Sequence, residues 1–270
     1  MPTPLIDTHC HLDDPCFDTD RSEVIQQAVE VGVKTIVIPA IRAGEFDRIA
    51  ELASGNPVLR ACAGLHPLFI GDHDQSAWDA VCDRAQAGEI TAIGECGLDF
   101  THRAQQTDDQ IGLFKKHVEL AADTDLPLII HANGAVEAVL QCVRQYAGAR
   151  GVIHSFNGSA EQASAFLKLG FKLGFGGAVT HTRASRLRRL VAELPLDSIL
   201  LETDAPYQPG ALRGNARNQP AWIADVCDTV AHLHNKPADI IAKTTTENAT
   251  TLFALAVSYT HLTLPTIYSV

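Results

Sequence analysis

Short apolar runs alternate with amphipathic segments along most of this chain. The apolar runs are rich in β-branched residues and continuously hydrophobic, which is typical of parallel strands covered on both faces. They predict strands at 4–7, 34–39, 58–63, 90–95, 127–131, 151–154, 171–175 and 198–203. Apolar residues at helical spacing predict helices at 21–32, 109–124, 159–170, 219–234 and 237–255.

Eight strand–helix units in about 250 residues favour an α/β fold, the (β/α)₈ TIM barrel. An open, doubly wound parallel sheet is the alternative, because the pattern does not reveal strand order. No linker rich in Gly, Ser or Pro divides the chain, so residues 1–256 are expected to form one barrel domain. Residues 257–270 carry no charged side chain, and we expect a non-native or disordered tail there.

Composition and charge narrow the function classes. Hydrophobic residues make up 46% of the 270 residues and charged residues 20%, the balance of a soluble globular protein. There is no signal-peptide pattern and no apolar run of membrane-spanning length. The seven cysteines form no C-x-x-C pair and suit a reducing cytoplasm. A net charge of −11 argues against broad electrostatic binding of nucleic acid, although bound divalent cations would reverse the local field at a nuclease site.

Side chains that can bind a metal recur at the carboxyl ends of the predicted strands. They are His9, His11, Glu95, His131, His154 and Asp204. The first two are two positions apart on an extended segment, so both imidazoles point to the same side. The others end or directly follow strands four, five, six and eight. Barrel enzymes build their active sites at this end, so the sequence predicts a metal centre there.

Four histidines and two carboxylates exceed what one tetrahedral ion needs, so two divalent metal ions are predicted, with Glu95 between them. Imidazole ligands suit Zn²⁺, Mn²⁺, Fe²⁺ or Ni²⁺ better than Mg²⁺, and the sequence leaves the metal open among Zn, Mn, Mg and similar ions. Such a pair of ions activates water for hydrolysis. Asp204 is expected to act as ligand and general base, and Glu95 is predicted to be catalytic with it.

Motifs along the chain resemble those of the TatD-like deoxyribonucleases of the amidohydrolase superfamily. They are IDTHCHLD at 6–13, GLHP at 64–67, GECGLD at 94–99, IH at 130–131, HSFNG at 154–158, LLETDAP at 200–206 and RNQP at 217–220. The resemblance spans residues 6 to about 255. It implies a TIM barrel with a binuclear metal site at the same six residues. It also implies hydrolysis of phosphodiester bonds, typically in DNA and often from the 3′ end.

One position departs from that family pattern. The family usually has a basic residue two positions after the fifth-strand histidine, whereas this chain has Asn133 after His131. Loss of the charge weakens the expected hold on a phosphate. Arg217 and Asn218 are candidates for the missing contact, since a guanidinium pairs well with phosphate oxygens.

Several other polar residues and glycines have both a functional and a structural interpretation. His66 is expected to donate to a substrate phosphate or to support a metal ligand, and Glu202 to support a ligand. Gly174, Gly176 and Gly177 either admit substrate close to the backbone or relieve a crowded turn.

Clusters of basic residues remain outside the predicted centre. Arg183, Arg186, Arg188 and Arg189 either steer a polyanion or form a solvated helix face. Six further histidines, for which the pattern shows no convergent partners, are interpreted as surface or packing residues. They are His73, His102, His117, His181, His232 and His234.

The predicted function is a divalent-metal-dependent deoxyribonuclease acting on single-stranded DNA or another phosphodiester. We expect no base-sequence specificity, no membrane association and no obligate protein partner. The alternative is a metal-dependent hydrolase of a small-molecule ester or amide, because one barrel mouth can serve many substrates. A metal-binding scaffold without catalysis is a third class, which the complete ligand set disfavours. Metal-dependent shortening of labelled DNA separates the first from the others.

Overall fold

The computed structural model describes residues 2–102 and 106–255. In that part of the chain, eight parallel strands follow one another round a barrel in chain order. They are β1 (Leu5–Asp7), β2 (Val33–Ile38), β3 (Leu59–Ala63), β4 (Ala92–Asp99), β5 (Leu128–Asn133), β6 (Gly151–Ile153), β7 (Lys172–Phe175) and β8 (Ile199–Leu201). The predicted (β/α)₈ barrel is confirmed. The tail expected at 257–270 lies outside the described residues.

Helices alternate with the strands and cover the outside of the barrel. They are α1 (Arg21–Glu30), α2 (Phe46–Gly55), α3 (Gln75–Ala87), α4 (Thr107–Thr124), α5 (Val136–Val143), α6 (Ala160–Lys168), α7 (Ser185–Glu193), α8 (Ile223–His234) and α9 (Ala238–Leu252). Helix α6 begins where predicted, because the Ser159 hydroxyl accepts from the Gln162 amide and the Gln162 side chain accepts from the Ser159 amide. No helix among the described residues has the length and apolar character needed to cross a bilayer.

The barrel closes between β8 and β1 through residues just beyond both strands. The Asp204 amide donates to the His9 carbonyl at 2.8 Å, and the His11 amide donates to the Ala205 carbonyl at 2.8 Å. This pairing aligns the H-x-H segment with the segment after β8. Three candidate ligands from opposite ends of the chain therefore become neighbours.

Alternate strand residues fill the barrel interior, and their neighbours pack outward against the helices. The interior cluster comprises Ile6, Val37, Cys62, Ala92, Ile129, Val152 and Leu200. Leu252 and Phe253, at the end of α9, pack against this cluster. The Asn248 side chain of α9 donates to the carbonyl of Ile199, where β8 begins. Helix α9 therefore covers the amino-terminal end of the barrel, and the candidate ligands lie at the opposite end.

Two strands run further than their sequence pattern predicts. The pairing of β4 with β5 shifts register before Cys96, then resumes and continues to the pair Asp99–Asn133. The expectation that Glu95 and His131 end their strands is therefore wrong, since both lie inside strands. The side chains of Asp99 and Asn133, at the true ends of these strands, therefore also reach the barrel mouth.

His117 of α4 is buried and supports the loop that follows β3. Its Nε2 accepts from the Leu65 amide at 3.2 Å, and its Nδ1 donates to the Leu113 carbonyl at 2.9 Å. Burial lowers the pKa of this imidazole to about 4. The interpretation of His117 as a packing residue is confirmed, and its neutral form holds the backbone next to His66.

His117 is expected to make the protein less stable in acid. Its pKa of about 4 in the folded chain lies below the ordinary 6.5, so between these values the unfolded state binds more protons and stability falls as the pH falls. The group alone lowers the free energy of unfolding by about 2 kcal/mol between pH 7.5 and pH 5. Urea unfolding in EDTA measures the free energy of unfolding at both pH values. Between pH 7.5 and pH 5 this free energy should fall by about 2 kcal/mol less in His117→Gln than in the wild type.

His232→Gln is the matched control, because His232 is exposed on α8. Its loss of stability in acid should equal that of the wild type. An equal loss in His117→Gln and the wild type would contradict the expectation.

Candidate active site at the barrel mouth

Two imidazoles and two carboxylates converge at the mouth of the barrel. His9 Nε2 lies 3.2 Å from His11 Nε2 and 3.3 Å from Glu95 Oε2. Asp204 Oδ1 lies 3.6 Å from both imidazole nitrogens. Atoms that share an ion at about 2.1 Å, with tetrahedral or octahedral angles, are about 3.0–3.5 Å apart. This donor set therefore fits one divalent cation.

The other oxygen of Glu95 faces a second set of imidazoles. Oε1 lies 3.1 Å from His131 Nδ1, 3.3 Å from His66 Nε2 and 3.8 Å from His154 Nε2. Because Oε2 contacts the first set, the Glu95 carboxylate joins the two. Glu95 would therefore be placed to hold a cation with each of its two oxygens.

Carboxylates behind the second set orient its imidazoles. His131 Nε2 donates to Asp99 Oδ2 and His154 Nδ1 donates to Glu202 Oε1, each at 3.1 Å, since an ionised carboxylate only accepts. The remaining nitrogens turn lone pairs toward Glu95 Oε1, which is itself an acceptor. A proton or a metal ion is needed to remove the repulsion between these acceptors. The donor chemistry of the second set therefore also fits a cation.

The pKa shifts of His154 and Glu95 favour positive charge on the imidazoles and negative charge on the carboxylate. Burial works against a charged His154, yet Glu202 and Asp204 raise its pKa to about 10. Burial also works against a charged Glu95, but the neighbouring imidazoles, led by His66, hold the pKa of this carboxyl well below its usual value. Burial raises the pKa of Asp204, which increases its capacity to accept a proton.

A cavity of about 670 Å³ is lined by six of the site residues, His11, His66, Glu95, His131, His154 and Asp204. Its other lining residues include Ile41, Leu68, Phe69, Val136, Asn133, Ser155, Asn157, Tyr207 and Gln208. None of the described lining residues is Lys or Arg. Gln208 Nε2 donates to Asp204 Oδ2 at 2.5 Å, so it fixes the carboxylate whose other oxygen faces the first imidazole set.

The sequence relatives place this arrangement in a family. Residues 6–254 match the family described as TatD related DNase. The chain belongs to this family. A protein of Escherichia coli K12 named uncharacterized metal-dependent hydrolase YjjV is 37% identical over 253 residues, which cover 92% of this chain and 97% of that protein. The E. coli K12 protein named 3′-5′ ssDNA/RNA exonuclease TatD is 31% identical over 266 residues, 93% of this chain and 100% of that protein.

A solved structure agrees with the assignment to the TatD family. The crystal structure of YjjV, a TatD homolog from E. coli K12, matches with a TM-score of 0.89 at 36% identity and covers 93% of this chain and 98% of that one. The TatD resemblance of the motifs is confirmed. The chain is a metal-dependent hydrolase of the TatD family.

Arg217 lies outside the cavity of this TatD-family enzyme. Its Nη2 pairs with Asp20 Oδ2 at 2.5 Å, its Nη1 donates to the Cys16 carbonyl, and its guanidinium lies over the Phe17 ring. These neighbours already engage the guanidinium. The expected contact between Arg217 and a phosphate is therefore not supported by the structure.

Asn218 lies behind the site and holds the segment that carries Asp204. Its buried side chain donates to the carbonyls of Thr203 and Tyr207, each at 2.7 Å. These two carbonyls flank Asp204 along the chain. Asn218 therefore supports the position of a site carboxylate and does not line the cavity.

Glu202 is buried behind His154 and needs the space that a glycine leaves. Its Oε1 also accepts from the Ser155 amide at 2.6 Å. A Cβ at Gly174 would lie 2.3 Å from Glu202 Oε2. Of the two interpretations of this glycine, crowding therefore applies, and the glycine makes room for the carboxylate that orients His154.

Two supporting carboxylates were missed by sequence reasoning. Asp99 accepts from His131 and from the Asn133 side chain. Asp7 accepts from the amide and the hydroxyl of Thr203, at 3.0 and 2.6 Å, and so ties β1 to the segment after β8. Both end strands inside the TatD motifs GECGLD and IDTHCHLD. Their position at a strand end inside these motifs was the sequence feature that could have identified both carboxylates.

Asp99→Asn is expected to weaken metal binding about 10–100-fold, because an amide is a poorer acceptor for the His131 ring than a carboxylate. His102 also contacts Asp99 Oδ2, at 3.1 Å. The interpretation of His102 as a residue without a convergent partner is therefore wrong. Competition with a chelator measures the affinity. Asp109→Asn, an exposed position on α4, is the control and should bind metal like the wild type. Unchanged affinity in Asp99→Asn would show that the contact does not tune the ligand.

Proposed function

We propose that this TatD-family hydrolase is a deoxyribonuclease that removes nucleotides from the 3′ end of single-stranded DNA. The observation that carries the proposal is the carboxylate of Glu95, whose two oxygens face separate imidazole sets inside an open cavity. Phosphodiester hydrolysis suits such a centre, because charge develops on both the attacking and the leaving oxygen. The similarity to a protein named 3′-5′ ssDNA/RNA exonuclease supports the substrate and the direction.

The proposed ligands divide into two sets that share Glu95. The first set is His9, His11, Glu95 Oε2 and Asp204 Oδ1, and the second is Glu95 Oε1, His131 Nδ1 and His154 Nε2. When bound, the two divalent ions supply an activated water and neutralise phosphate charge. The protein contributes the spacing of the ligands and the carboxylates that orient them.

Asp204 is the proposed general base. Its Oδ1 faces the first imidazole set and its Oδ2 is held by Gln208, so the carboxylate is fixed beside the place where water attacks. Burial raises its pKa, which favours transfer of a proton from water to the carboxylate.

His66 is the proposed donor to a non-bridging phosphate oxygen. Its Nδ1 accepts from the Leu68 amide at 3.1 Å, so the proton of the neutral ring lies on Nε2. Burial lowers the pKa of His66 and favours that neutral form. Nε2 lies 3.3 Å from Glu95 Oε1, with which its N–H pairs, and the residue lines the cavity. Cations on the Glu95 carboxylate would free this N–H for a phosphate oxygen.

A small-molecule ester or amide hydrolase is the second candidate function. The observation that favours it is the absence of Lys and Arg among the described residues lining the metal cavity, with Asn133 at the position where the family pattern has a basic residue. A neutral substrate would need no such cation.

We further propose a cytoplasmic enzyme without base-sequence preference. All seven cysteines are free thiols, and Cys16 is exposed, which suits a reducing compartment. The uncharged polar side chains Ser155, Asn157 and Gln208 of the cavity already pair with Gln208, Arg186 and Asp204, respectively. They are therefore not arranged to distinguish base edges.

Hydrolysis of 5′- and 3′-labelled single-stranded DNA tests the proposal. The metal-free protein is reconstituted with Mg²⁺, Mn²⁺, Co²⁺ or Zn²⁺, and Asp204→Asn is assayed alongside. We expect the 3′ label to leave at once as a mononucleotide and the 5′ label to give a ladder. Bound metal without DNA cleavage, together with cleavage of a carboxylic ester, would favour the second candidate instead.

A further inference from the structure

A second cavity, of about 370 Å³, adjoins the metal cavity. Ser155, Asn157 and Gln208 line both. Ser155 follows His154, a proposed ligand, and its hydroxyl donates to Gln208 Oε1 at 3.1 Å. Because the two cavities share these walls, a chain bound at the metal centre can extend directly into the second cavity.

The two cavities differ in charge. The described lining of the metal cavity includes two carboxylates and no Lys or Arg. The described lining of the second cavity includes Arg183 and Arg186 and no carboxylate. The whole chain has a net charge of −11, so it has no general attraction for a polyanion. A phosphate that does not reach the metal centre therefore finds its local cations in the second cavity.

The two arginines are held differently. Arg186 Nη2 donates to the carbonyl and to Oδ1 of Asn157, at 2.8 and 2.7 Å, and so fixes a residue common to both cavities. Arg183 is exposed and makes no hydrogen bond or ion pair with any residue that the structure describes. Its guanidinium is therefore available to a ligand in the cavity.

The four arginines of this run in the sequence therefore have different roles. Arg188 donates to the Val179 carbonyl at 2.8 Å and stabilises the loop after β7. Arg189 is exposed on α7 and does not line either cavity. Only the first two arginines of the run line the second cavity.

We propose that the second cavity is a subsite for the next phosphate on the 5′ side of the scissile phosphodiester, and that Arg183 binds it. The inference rests on the proposed nuclease function. A 3′ exonuclease has a single nucleotide beyond the scissile bond, so a neighbouring phosphate must lie on the 5′ side. A guanidinium offers two N–H donors that match phosphate oxygens. The enzyme should therefore require a second phosphate for efficient binding.

Short thymidine oligonucleotides test the subsite. The dinucleotide dTpT has only the scissile phosphodiester, whereas dTpTpT and the 5′-phosphorylated dinucleotide carry one more phosphate. The metal-loaded wild type should have a kcat/KM about tenfold higher for the two substrates with the additional phosphate than for dTpT, mostly through a lower KM. Arg183→Gln should lose this preference and should cleave dTpT like the wild type. Arg183→Lys should retain part of it, because the charge remains.

Arg189→Gln is the matched control, since it removes the same charge from the same run outside the cavity. It should keep the wild-type preference. Equal preference in Arg183→Gln and the wild type would overturn the subsite, and so would an equal loss on dTpT and dTpTpT. If no metal-loaded form cleaves any thymidine oligonucleotide, both the proposed nuclease function and the proposed subsite are overturned. Cleavage of DNA without dependence on Arg183 overturns the subsite alone.

Binding without catalysis gives a second readout. Fluorescence anisotropy with labelled oligothymidylate measures Kd over a range of salt concentrations for metal-loaded proteins that all carry Asp204→Asn, which slows cleavage. Loss of one phosphate contact should reduce the slope of log Kd against log salt by about 0.7 in Arg183→Gln. The slope for Arg189→Gln should equal that of the protein with Asp204→Asn alone, and an equal slope in all three proteins would contradict the proposed contact.

Discussion

Asp204→Asn is expected to lower kcat for single-stranded DNA by about 10²–10⁴-fold while metal stays bound. The amide keeps an oxygen that can occupy the place of Oδ1, 3.6 Å from the Nε2 atoms of His9 and His11. It cannot accept a proton from water. The contact from Gln208 adapts by rotation of its own amide. The change therefore removes the base more completely than it removes a ligand.

Single-turnover cleavage rates and metal content together measure this effect. Asp197→Asn is the control, because Asp197 is exposed just before β8, at the opposite end of the barrel. It should leave both quantities unchanged. Full activity in Asp204→Asn would assign the base to another group. Loss of the metal would show that Asp204 acts chiefly as a ligand.

Glu95→Gln is expected to reduce the bound metal from two ions to at most one and to lower activity by more than about 10³-fold. The carboxylate contacts His9 through one oxygen and His131 through the other, at 3.3 and 3.1 Å. An amide replaces one of these oxygens by an NH₂ group, which has no lone pair for a cation. It also removes the negative charge that balances two divalent ions in a buried site.

Elemental analysis and calorimetric metal titration distinguish this role from mere support. Glu202→Gln is the matched control, because Glu202 is also buried and its Oε1 accepts from His154 and the Ser155 amide. It should weaken metal binding about 10–100-fold and still reach two ions at saturation. Two ions and wild-type activity in Glu95→Gln would remove the bridging assignment.

Much of the barrel could be predicted because its signals are local. Each predicted strand starts within two residues of an observed one, and Ser159 caps α6 as its hydroxyl and the following Gln162 indicate. The carboxyl ends of β4 and β5 could not be predicted. They depend on hydrogen bonds between the strands after a register shift, and no pattern within one strand encodes those bonds.

The candidate ligands could be selected from residue type and from their positions near the carboxyl ends of predicted strands, because parallel strands bring those ends to one rim. For Arg217, the same reasoning predicted a contact that the structure does not support. Its charge and its place in the loop after β8 fitted a phosphate contact, yet Asp20 and the Phe17 ring engage its guanidinium. Arg183, interpreted only as one of a run, lines the cavity next to the metal centre.

The sequence by itself determined the alternation of eight strands with helices and the kinds of side chain near the predicted strand ends, whereas the strand order came from the tertiary structure. Only the tertiary structure decided which nitrogen of each imidazole faces Glu95. His131 presents Nδ1 and His154 presents Nε2, because Asp99 and Glu202 accept from the opposite nitrogens. Those partners lie 32 and 48 positions away along the chain, so their hydrogen bonds exist only after the barrel closes.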